Sequence, residues 1–384
     1  MAMTINTNVV SINSQRNLSL SGSSLATSMQ RLSSGLRVNS AKDDAAGLAI
    51  SERMKAQSSG LAVAARNAND GISLAQTAEG ALSKVGDMLQ RMRELAVQSS
   101  NATNSENDRK AMQAEVSQLI SEIDRVAKTS EFNGKKLLNG DFAGGVFQVG
   151  ASAGDNITVG ALANVQAKEL SNISYAKAAT TVTLDTLGAK FEESGTLEFA
   201  GVKVSLDVAG SAKERGGQVV AAINAQSAST GIVAFTEGDN VTIYSNTAVA
   251  TGENKVTWTK TGDNTATDVL DVITVAQANQ KGIDTLSVKS QADAWVALKK
   301  IDDAINKISS ARGDLGALQT RFEKSIENID IMNENISAAR GRIVDADFAS
   351  ETANLSRSQI LQQAGTAMVA QANQLPQNVL SLLR

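Results

Sequence analysis

The sequence contains no cysteine, no histidine and only one proline among its 384 residues. Without cysteine and histidine it cannot form a disulfide, a serine–histidine or thiol catalytic centre, or a zinc site that needs imidazole or thiolate ligands. Aromatic residues make up only 3% although hydrophobic residues make up 42%, and such apolar surface is typical of helix–helix packing. We therefore expect no enzymatic activity, no cofactor and no metal ion.

The sequence also lacks an excess of one charge and a long apolar run. Its 36 Lys and Arg residues against 40 Asp and Glu residues give a net charge of −4, whereas nucleic-acid binding needs a basic excess to neutralise phosphates. No stretch approaches the about 18 apolar residues of a membrane helix, and Met1–Leu20 does not resemble a cleavable signal peptide. These absences predict no nucleic-acid or membrane partner, and either a cytoplasmic protein or export without a cleaved signal.

Aromatic residues are confined to the middle of the chain, since residues 1–131 and 349–384 contain none. Residues 178–284 are rich in Thr, Val and Gly and contain alternating runs such as Val241–Tyr244, which are typical of strands. We predict a β-rich inserted domain there, with a short helix at Gln218–Ala225. At about 150 residues per domain, the chain is expected to hold two or three domains.

Turn signals mark the passage into this middle region. Asn133-Gly134 and Asn139-Gly140 are predicted to be hairpin turns, and Val146–Val149 is predicted to be a strand. Gly150–Gly154 matches the Gly-x-Ser-x-Gly pattern of a catalytic nucleophile elbow. Because the chain has no histidine to act as its base, we interpret this segment as a turn.

The clearest helical pattern places an apolar residue at every seventh position between 301 and 343. A heptad repeat of this kind is typical of a coiled-coil seam, so it predicts one long helix whose stripe forms the core of a rod. The phase of the repeat changes between Ile343 and Leu361, where we expect a bend or a register break. The rod-core residues are Ile301, Ile308, Leu315, Phe322, Ile329, Ile336 and Ile343.

Two earlier stripes, from Leu74 to Ala96 and from Met112 to Val126, have apolar residues three and four positions apart. The polar segment Ser99–Glu106 separates them, and its side chains suit a helix end and a cap. The pattern predicts two antiparallel helices joined by this segment.

Both ends of the chain carry apolar stripes but too few large side chains for a core of their own. Ordering each residue costs about 1–2 kcal/mol in backbone entropy, whereas each of the roughly ten large side chains in Met1–Asp44 contributes about 1.5–3 kcal/mol when buried. We predict that these ends are disordered in a free monomer and fold when other copies surround them. The predicted self-assembly residues are Ile5, Val9, Ile12, Leu18, Leu25, Met29, Leu32, Leu36, Leu361, Met368, Leu375, Val379 and Leu382.

Long strings at both ends resemble the bacterial flagellins, the subunits of the flagellar filament. The strings are INTN at 5–8, SINSQRNL at 11–18, RLSSGLRVNSAKDDAAGLAI at 31–50, RMRELAVQ at 91–98 and QANQLPQNVLSLLR at 371–384. The resemblance covers about residues 1–177 and 285–384, whereas the segment between them carries no family signal.

The resemblance and the patterns above imply a mainly α fold with an inserted β-rich domain. Both chain ends would build a long coiled-coil helical rod, and the middle of the chain would form an outer α+β domain. Residues 1–44 and 344–384 would form an inner helical domain that lines the filament channel. Residues 45–177 and 285–343 would form the helical rod domain with β-hairpins, and residues 178–284 the exposed outer domain.

The resemblance further implies a structural subunit that polymerises into the bacterial flagellar filament for swimming motility, secreted to the cell exterior. The implied partners are further copies in a helical homopolymer, the flagellar type III export apparatus, an export chaperone, the filament cap and the hook–filament junction proteins. Two alternatives stay open from the sequence alone: a hook–filament junction protein of the same superfamily, and a secreted coiled-coil adhesin.

Flagellins are also recognised by innate immune receptors, and the resemblance extends to the positions involved. The positions that match the surface bound by the flagellin-sensing Toll-like receptor are Gln90, Arg91, Glu94, Leu95, Gln98 and Glu115. Because Arg91 and Leu95 are one helical turn apart, we expect them to share a face. Leu382 and Leu383 match the segment sensed by cytosolic NAIP receptors. The plainer alternative for Arg91 and Glu115 is an ion pair at a solvated or intersubunit surface.

Overall fold

The structure is a computed structural model that contains two compact units. Unit 1 comprises Met1–Asp70, Phe147–Ile157 and Phe322–Arg384, and unit 2 comprises Gly71–Val146 and Thr158–Arg321. The residues described are 7–173, 176–177, 182–183, 194–199, 202–230, 232–237, 240–245, 256–260, 267–270 and 281–382. The three-domain division drawn from the sequence stays a prediction.

Long helices dominate both ends of the chain, and shorter elements occupy the middle. The helices are α1 (Val9–Ser34), α2 (Ala45–Ser99), α3 (Glu106–Thr129), α4 (Ala212–Ala225), α5 (Ser227–Thr230), α6 (Gln291–Val344) and α7 (Phe348–Leu382). The strands are β1 (Glu131–Phe132), β2 (Lys135–Lys136), β3 (Gly145–Gln148), β4 (Asn156–Val159), β5 (Ala176–Lys177), β6 (Val182–Thr183), β7 (Gly195–Phe199), β8 (Val202–Leu206), β9 (Ile232–Glu237), β10 (Asn240–Ser245), β11 (Val256–Lys260) and β12 (Thr267–Leu270). The predicted mainly α fold with a β-rich middle is confirmed.

The predicted helix breaks lie where the sequence placed them. Ser105 caps α3 by accepting a hydrogen bond from the Asp108 amide at 3.2 Å, while the Asp108 carboxylate accepts one from the Ser105 amide at 3.0 Å. This reciprocal pair is a capping box, which satisfies two amides that have no partner within the helix. At the other end of the chain, α6 ends at Val344 and α7 begins at Phe348, within the interval where the heptad phase changes.

The described residues in the middle of the chain form two antiparallel sheets. One has the strand order β12-β11-β7-β8, and in the other β10 pairs with β9, β5 and β6. The predicted strand at Val241–Tyr244 is β10, which confirms that prediction. The predicted helix at Gln218–Ala225 is α4, which begins six residues earlier because Ser211 caps it by accepting a hydrogen bond from the Glu214 amide.

A two-residue turn separates β1 from β2, whereas longer segments separate the other short strands near residues 130–160. Asn133-Gly134 joins the paired strands β1 and β2, as predicted. The hairpin prediction for Asn139-Gly140 is wrong, because the Asn139 carbonyl accepts a hydrogen bond from Gln166 instead of starting a strand pair. Gly150–Gly154 lies between the paired strands β3 and β4 and is a turn.

The predicted stripes supply much of the buried apolar side chains of the helices. In unit 2, Gly86 of α2 packs against Ile308 of α6, and Glu79 of α2 pairs with Arg312 of α6. In unit 1, Leu61 and Ala64 of α2 cluster with Ile329 of α6. Every residue of the predicted α2 stripe is at most 5% exposed: Leu74, Ala78, Leu82, Val85, Leu89, Met92 and Ala96.

The heptad stripe of α6 is not uniformly buried. Ile301, Ile308, Leu315, Phe322 and Ile329 are each at most 3% exposed. Ile336 and Ile343, the last two members, are half-buried. The core prediction therefore describes the first five positions better than the last two.

No helix among the described residues combines the length and the apolarity needed to cross a bilayer.

Candidate self-assembly surface

Within unit 1, α1 and α7 form an antiparallel helix pair. The Asn8 side-chain amide donates to the Ala372 carbonyl at 2.7 Å, and the Ser11 hydroxyl donates to the Asn373 side-chain oxygen at 2.7 Å. At the other end of the pair, the Arg31 guanidinium lies 3.9 Å from the Glu351 carboxylate. Polar contacts therefore join the two helices near both of their ends.

The seam between α1 and α7 is built largely from small and polar side chains. Ser11, Ser28, Ser358 and Ala372 are buried, and so is Glu351 at 8% exposure. A methyl group built on Gly365 would lie 3.0 Å from Leu18 Cδ1, so the glycine lets the helices approach closely. Because little apolar area is buried, this seam contributes little hydrophobic stabilisation.

Many of the large apolar side chains of the same two helices are exposed instead. Their exposures lie between 50% and 65% for Val9, Val10, Ile12, Leu20, Met29, Phe348, Ile360, Leu361 and Met368. Single exposed apolar residues are ordinary on a monomer. This many on one helix pair, whose shared seam is polar, mark a surface that needs further partners.

The predicted self-assembly residues divide between these two environments. Val9, Ile12, Met29, Leu361 and Met368 are exposed, whereas the remaining described positions are half-buried: Leu18, Leu25, Leu32 and Leu36. The predictions for Ile5 and for the side chains of Leu375, Val379 and Leu382 lie outside what the structure describes.

Sequence reasoning missed four exposed apolar residues, namely Val10, Leu20, Phe348 and Ile360. They fall outside the heptad phase that guided the prediction, and a single phase marks only one face of a helix. Counting every large apolar side chain of α1 and α7, whatever its phase, would have found them.

The segments that connect these helices to their neighbours are tied together. The Arg37 amide donates to the Val344 carbonyl at 2.6 Å, and the Ala346 amide donates to the Gly35 carbonyl at 2.9 Å. The Arg37 guanidinium donates to the Ile343 carbonyl at 2.6 Å. Since the last carbonyls of a helix have no partner within it, Arg37 caps the C-terminal end of α6.

The positions predicted for the Toll-like receptor form an exposed polar cluster in unit 2. The Arg91 guanidinium donates to Glu115 of α3 at 2.8 Å and to Glu94 at 3.0 Å. The hydrogen bond that Arg91 donates to Glu115, followed by the one it donates to Glu94, raises the pKa of Arg91 above its ordinary value. Gln90 and Gln98 are also exposed. We call Gln90, Arg91, Glu94, Gln98 and Glu115 the exposed polar cluster.

Leu95 does not share this face, contrary to the expectation from its spacing. It is 2% exposed, beside Met92 and Ala96, which are fully buried. The buried stripe of α2 is wider at this turn than a single line of residues, and Leu95 lies within it. The other ion pair nearby joins Arg93 to Asp302 of α6 at 2.7 Å.

Two further expectations concern the C-terminus and metal ions. The receptor predictions for Leu382 and Leu383 concern side chains outside those the structure describes. In the described parts of the chain, no group of three or more acidic side chains is arranged to hold a metal ion.

Comparison with known proteins places this architecture in a family. The sequence profile of the bacterial flagellin N-terminal helical region matches residues 5–143, and that of the C-terminal helical region matches residues 298–383. The chain is 41% identical over 389 residues to flagellin D of Vibrio anguillarum, and 38% identical over 491 residues to the B-type flagellin of Pseudomonas aeruginosa. Both alignments cover 100% of this chain and 100% of the relative.

Solved structures give a weaker likeness. The crystal structure of Bacillus cereus flagellin matches with a TM-score of 0.36 and 19% identity, covering 69% of this chain and 88% of that one. The two family profiles and the full-length relatives are sufficient without it: the chain belongs to the bacterial flagellin family.

Proposed function

We propose that this flagellin, a structural subunit of the extracellular flagellar filament, polymerises through the exposed apolar side chains of α1 and α7. The observation that supports the proposal is that polar side chains lie between α1 and α7 while large apolar side chains lie on their outside. The seam inside one subunit is polar, while nine large apolar side chains of the pair are at least half exposed. Copies of the same chain are the partners that the family and this surface both indicate.

The energies favour many neighbours over a single one. Each of the nine side chains is already partly covered, so its full burial gains about 1 kcal/mol. Association costs about 4–15 kcal/mol in lost freedom of motion, which is of the same size as the whole gain from one complete covering. A dimer that covers only some of these side chains is therefore marginal, whereas a subunit surrounded on several sides is stable.

Polymerisation from filament seeds tests the proposal. Ile12→Ser and Leu361→Ser each remove one exposed apolar side chain, and Gln362→Ser is the matched control because it changes an exposed polar neighbour on α7. We expect the two apolar variants to raise the critical concentration about fivefold each, the ratio that about 1 kcal/mol produces. Light scattering measures it. Growth of both variants at the wild-type concentration would contradict the proposal.

The filament subunit is favoured over the two alternatives drawn from the sequence. The hook–filament junction protein and the coiled-coil adhesin are not supported by the full-length relatives, which are flagellins. We also propose the three-part division at residues 1–44 and 344–384, 45–177 and 285–343, and 178–284. The proposed transient partners are the export apparatus, an export chaperone, the filament cap and the hook–filament junction proteins.

A second proposed role is recognition by the flagellin-sensing Toll-like receptor, through the exposed polar cluster. Arg91 holds Glu94 and Glu115 in one arrangement on two helices. A surface with fixed charges on two elements favours a specific protein contact, because the bound geometry needs little further ordering.

Two arginines of α2 provide a matched test of this second role. Arg91 and Arg93 are equally exposed, at 49% and 50% of their side chains, and each pairs with an acidic residue. We expect Arg91→Ala to weaken receptor activation by at least about tenfold in a reporter cell assay, and Arg93→Ala to leave it unchanged. Equal losses in both variants, with unchanged circular dichroism, would contradict the proposal.

A further inference from the structure

The chain contains two Asn-Gly pairs only six residues apart, and their surroundings differ. Asn133 and Gly134 form the turn between β1 and β2, and both are exposed. Asn133 has a φ of +48°, which makes it the one non-glycine residue with a positive φ among the described residues. The second pair, Asn139 and Gly140, follows the buried residues Leu137 and Leu138 and is not in a hairpin.

The first Asn-Gly pair has open space around it, whereas neighbouring atoms and hydrogen bonds hold the second pair in place. A methyl group built on Gly134 would meet nothing within 4 Å, but one built on Gly140 would lie 2.8 Å from the Asn164 side-chain nitrogen. The Asn139 side chain donates to the Asp141 carboxylate and accepts a hydrogen bond from the Asp141 amide. The Asn133 side chain makes no hydrogen bond to any residue that the structure describes.

We propose that Asn133 is a site of spontaneous deamidation, with water as the only co-reactant. The backbone nitrogen of Gly134 attacks Cγ of Asn133, a C–N bond closes a succinimide ring, and the amide nitrogen leaves as ammonia with the proton from Gly134. Water then breaks one of the two imide C–N bonds. Breaking the bond to Gly134 nitrogen on the side-chain carbonyl gives aspartate, and breaking the bond on the main-chain carbonyl gives isoaspartate.

The hairpin around Asn133 is small enough to open for this attack. Its two strands are two residues long, and an isolated pair of such short strands is marginally stable in water. Glycine offers no side chain to block the approach of its nitrogen, and its backbone is the most permissive. Opening therefore exposes the reacting atoms at little cost.

The two products differ in their effect on the turn. Aspartate tolerates positive φ, so the hairpin survives with one added negative charge beside Lys135. Isoaspartate adds a backbone methylene, which a two-residue turn cannot hold in the observed register of Phe132 with Lys135. The hydrogen bond from the Leu137 amide to the Ser130 carbonyl, 3.1 Å long, lies next to this hairpin and reports its loosening.

The experiment incubates the purified full-length chain at mildly alkaline pH and follows both Asn-Gly peptides by mass spectrometry. We expect the Asn133 peptide to gain the mass of deamidation about tenfold faster than the Asn139 peptide, because Asn139 must first lose its hydrogen bonds. Asp141→Ala removes the hydrogen bond from the Asn139 side chain to the Asp141 carboxylate and keeps the one from the backbone amide of residue 141, so it should speed reaction at Asn139. Asn133→Gln should remove the fast reaction, since glutamine forms the larger ring slowly.

The same measurement in concentrated urea is the control for local sequence. There the two peptides should react at similar rates, since the contacts that distinguish them are lost. In the folded chain, equal rates or faster reaction at Asn139 would overturn the proposal. An Asn133 that stays unmodified while Asn139 reacts in Asp141→Ala would overturn it as well, because the open turn would then be the more protected site.

Discussion

At the residue scale, Gly282 makes the strictest demand for one amino acid. Its φ is +85°, and a methyl group built on it would lie 2.4 Å from the Lys168 carbonyl oxygen and 2.6 Å from that of Ala167. Both atoms belong to backbone that cannot rotate away. We expect Gly282→Ala to lower the free energy of unfolding by about 3 kcal/mol, combining backbone strain and a clash. Urea unfolding followed by circular dichroism measures it.

Gly134 supplies the control for this substitution, because it has a similar φ of +75° but open space around it. Gly134→Ala should cost only the conformational part, about 1–2 kcal/mol. If the two variants lose the same stability, the close approach at Gly282 has no energetic weight and the prediction fails. The sequence alone marks both positions as glycine and does not separate them, since the carbonyls that crowd Gly282 lie more than a hundred residues earlier.

The exposed polar cluster shows what residue spacing can and cannot predict. The family resemblance predicts that Arg91 and Glu115 lie on an accessible surface, and in the structure they are exposed and paired. The one-turn distance from Arg91 predicts that Leu95 shares this surface, but Leu95 is buried. Spacing gives the direction of a side chain around the helix axis, whereas the width of the buried stripe depends on how closely other elements approach.

At the element scale, the heptad of α6 predicts a helix correctly but not how deeply each position is buried. Ile308 is 2% exposed, whereas Ile336 is half-buried. We expect Ile308→Ala to lower the free energy of unfolding by about 2–5 kcal/mol, through lost burial and a cavity. Ile336→Ala should cost about half as much, because water already reaches part of the side chain. Thermal and urea unfolding of the two variants measure the difference.

These two positions are matched in residue type, in helix and in heptad phase. If both variants lose the same free energy of unfolding, the difference in burial between Ile308 and Ile336 is contradicted, and Ile336 is covered in solution. If Ile308→Val is more stable than Ile308→Ala while Ile308→Thr is not, apolar burial is the cause, since valine and threonine are both β-branched and similar in size.

At the scale of the whole molecule, the sequence predicted that both chain ends carry assembly surfaces, and the structure pairs those ends as α1 and α7. The sequence does not predict which side chains of α1 and α7 pack against each other within one subunit. The heptad phase selects both Leu18, which lies against Gly365, and Ile12, which is 58% exposed. Which residues of the stripe contact α7 and which stay exposed depends on the register of the two helices. That register is set by contacts between residues more than 300 positions apart.

The polar seam leads to a prediction about the free subunit. Ordering α1 alone fixes 26 residues, at about 1–2 kcal/mol each, and its seam with α7 buries mostly serine and alanine side chains that offset little of this loss. We expect amides of α1 and α7 to exchange rapidly with deuterium in dilute monomer, while amides around Ile308 are protected by a buried core. In seeded filaments the same α1 amides should become protected, because neighbouring copies cover Ile12, Leu361 and Met368.

The matched control is the Ile12→Ser subunit, whose α1 should exchange as rapidly as that of the wild type in dilute solution and should stay less protected under filament-forming conditions. Slow exchange throughout α1 in dilute wild-type monomer would contradict the prediction, since the pair would then be stable on its own. Folding of α1 and α7 would then not depend on covering their exposed apolar side chains, so it would not favour association with other copies.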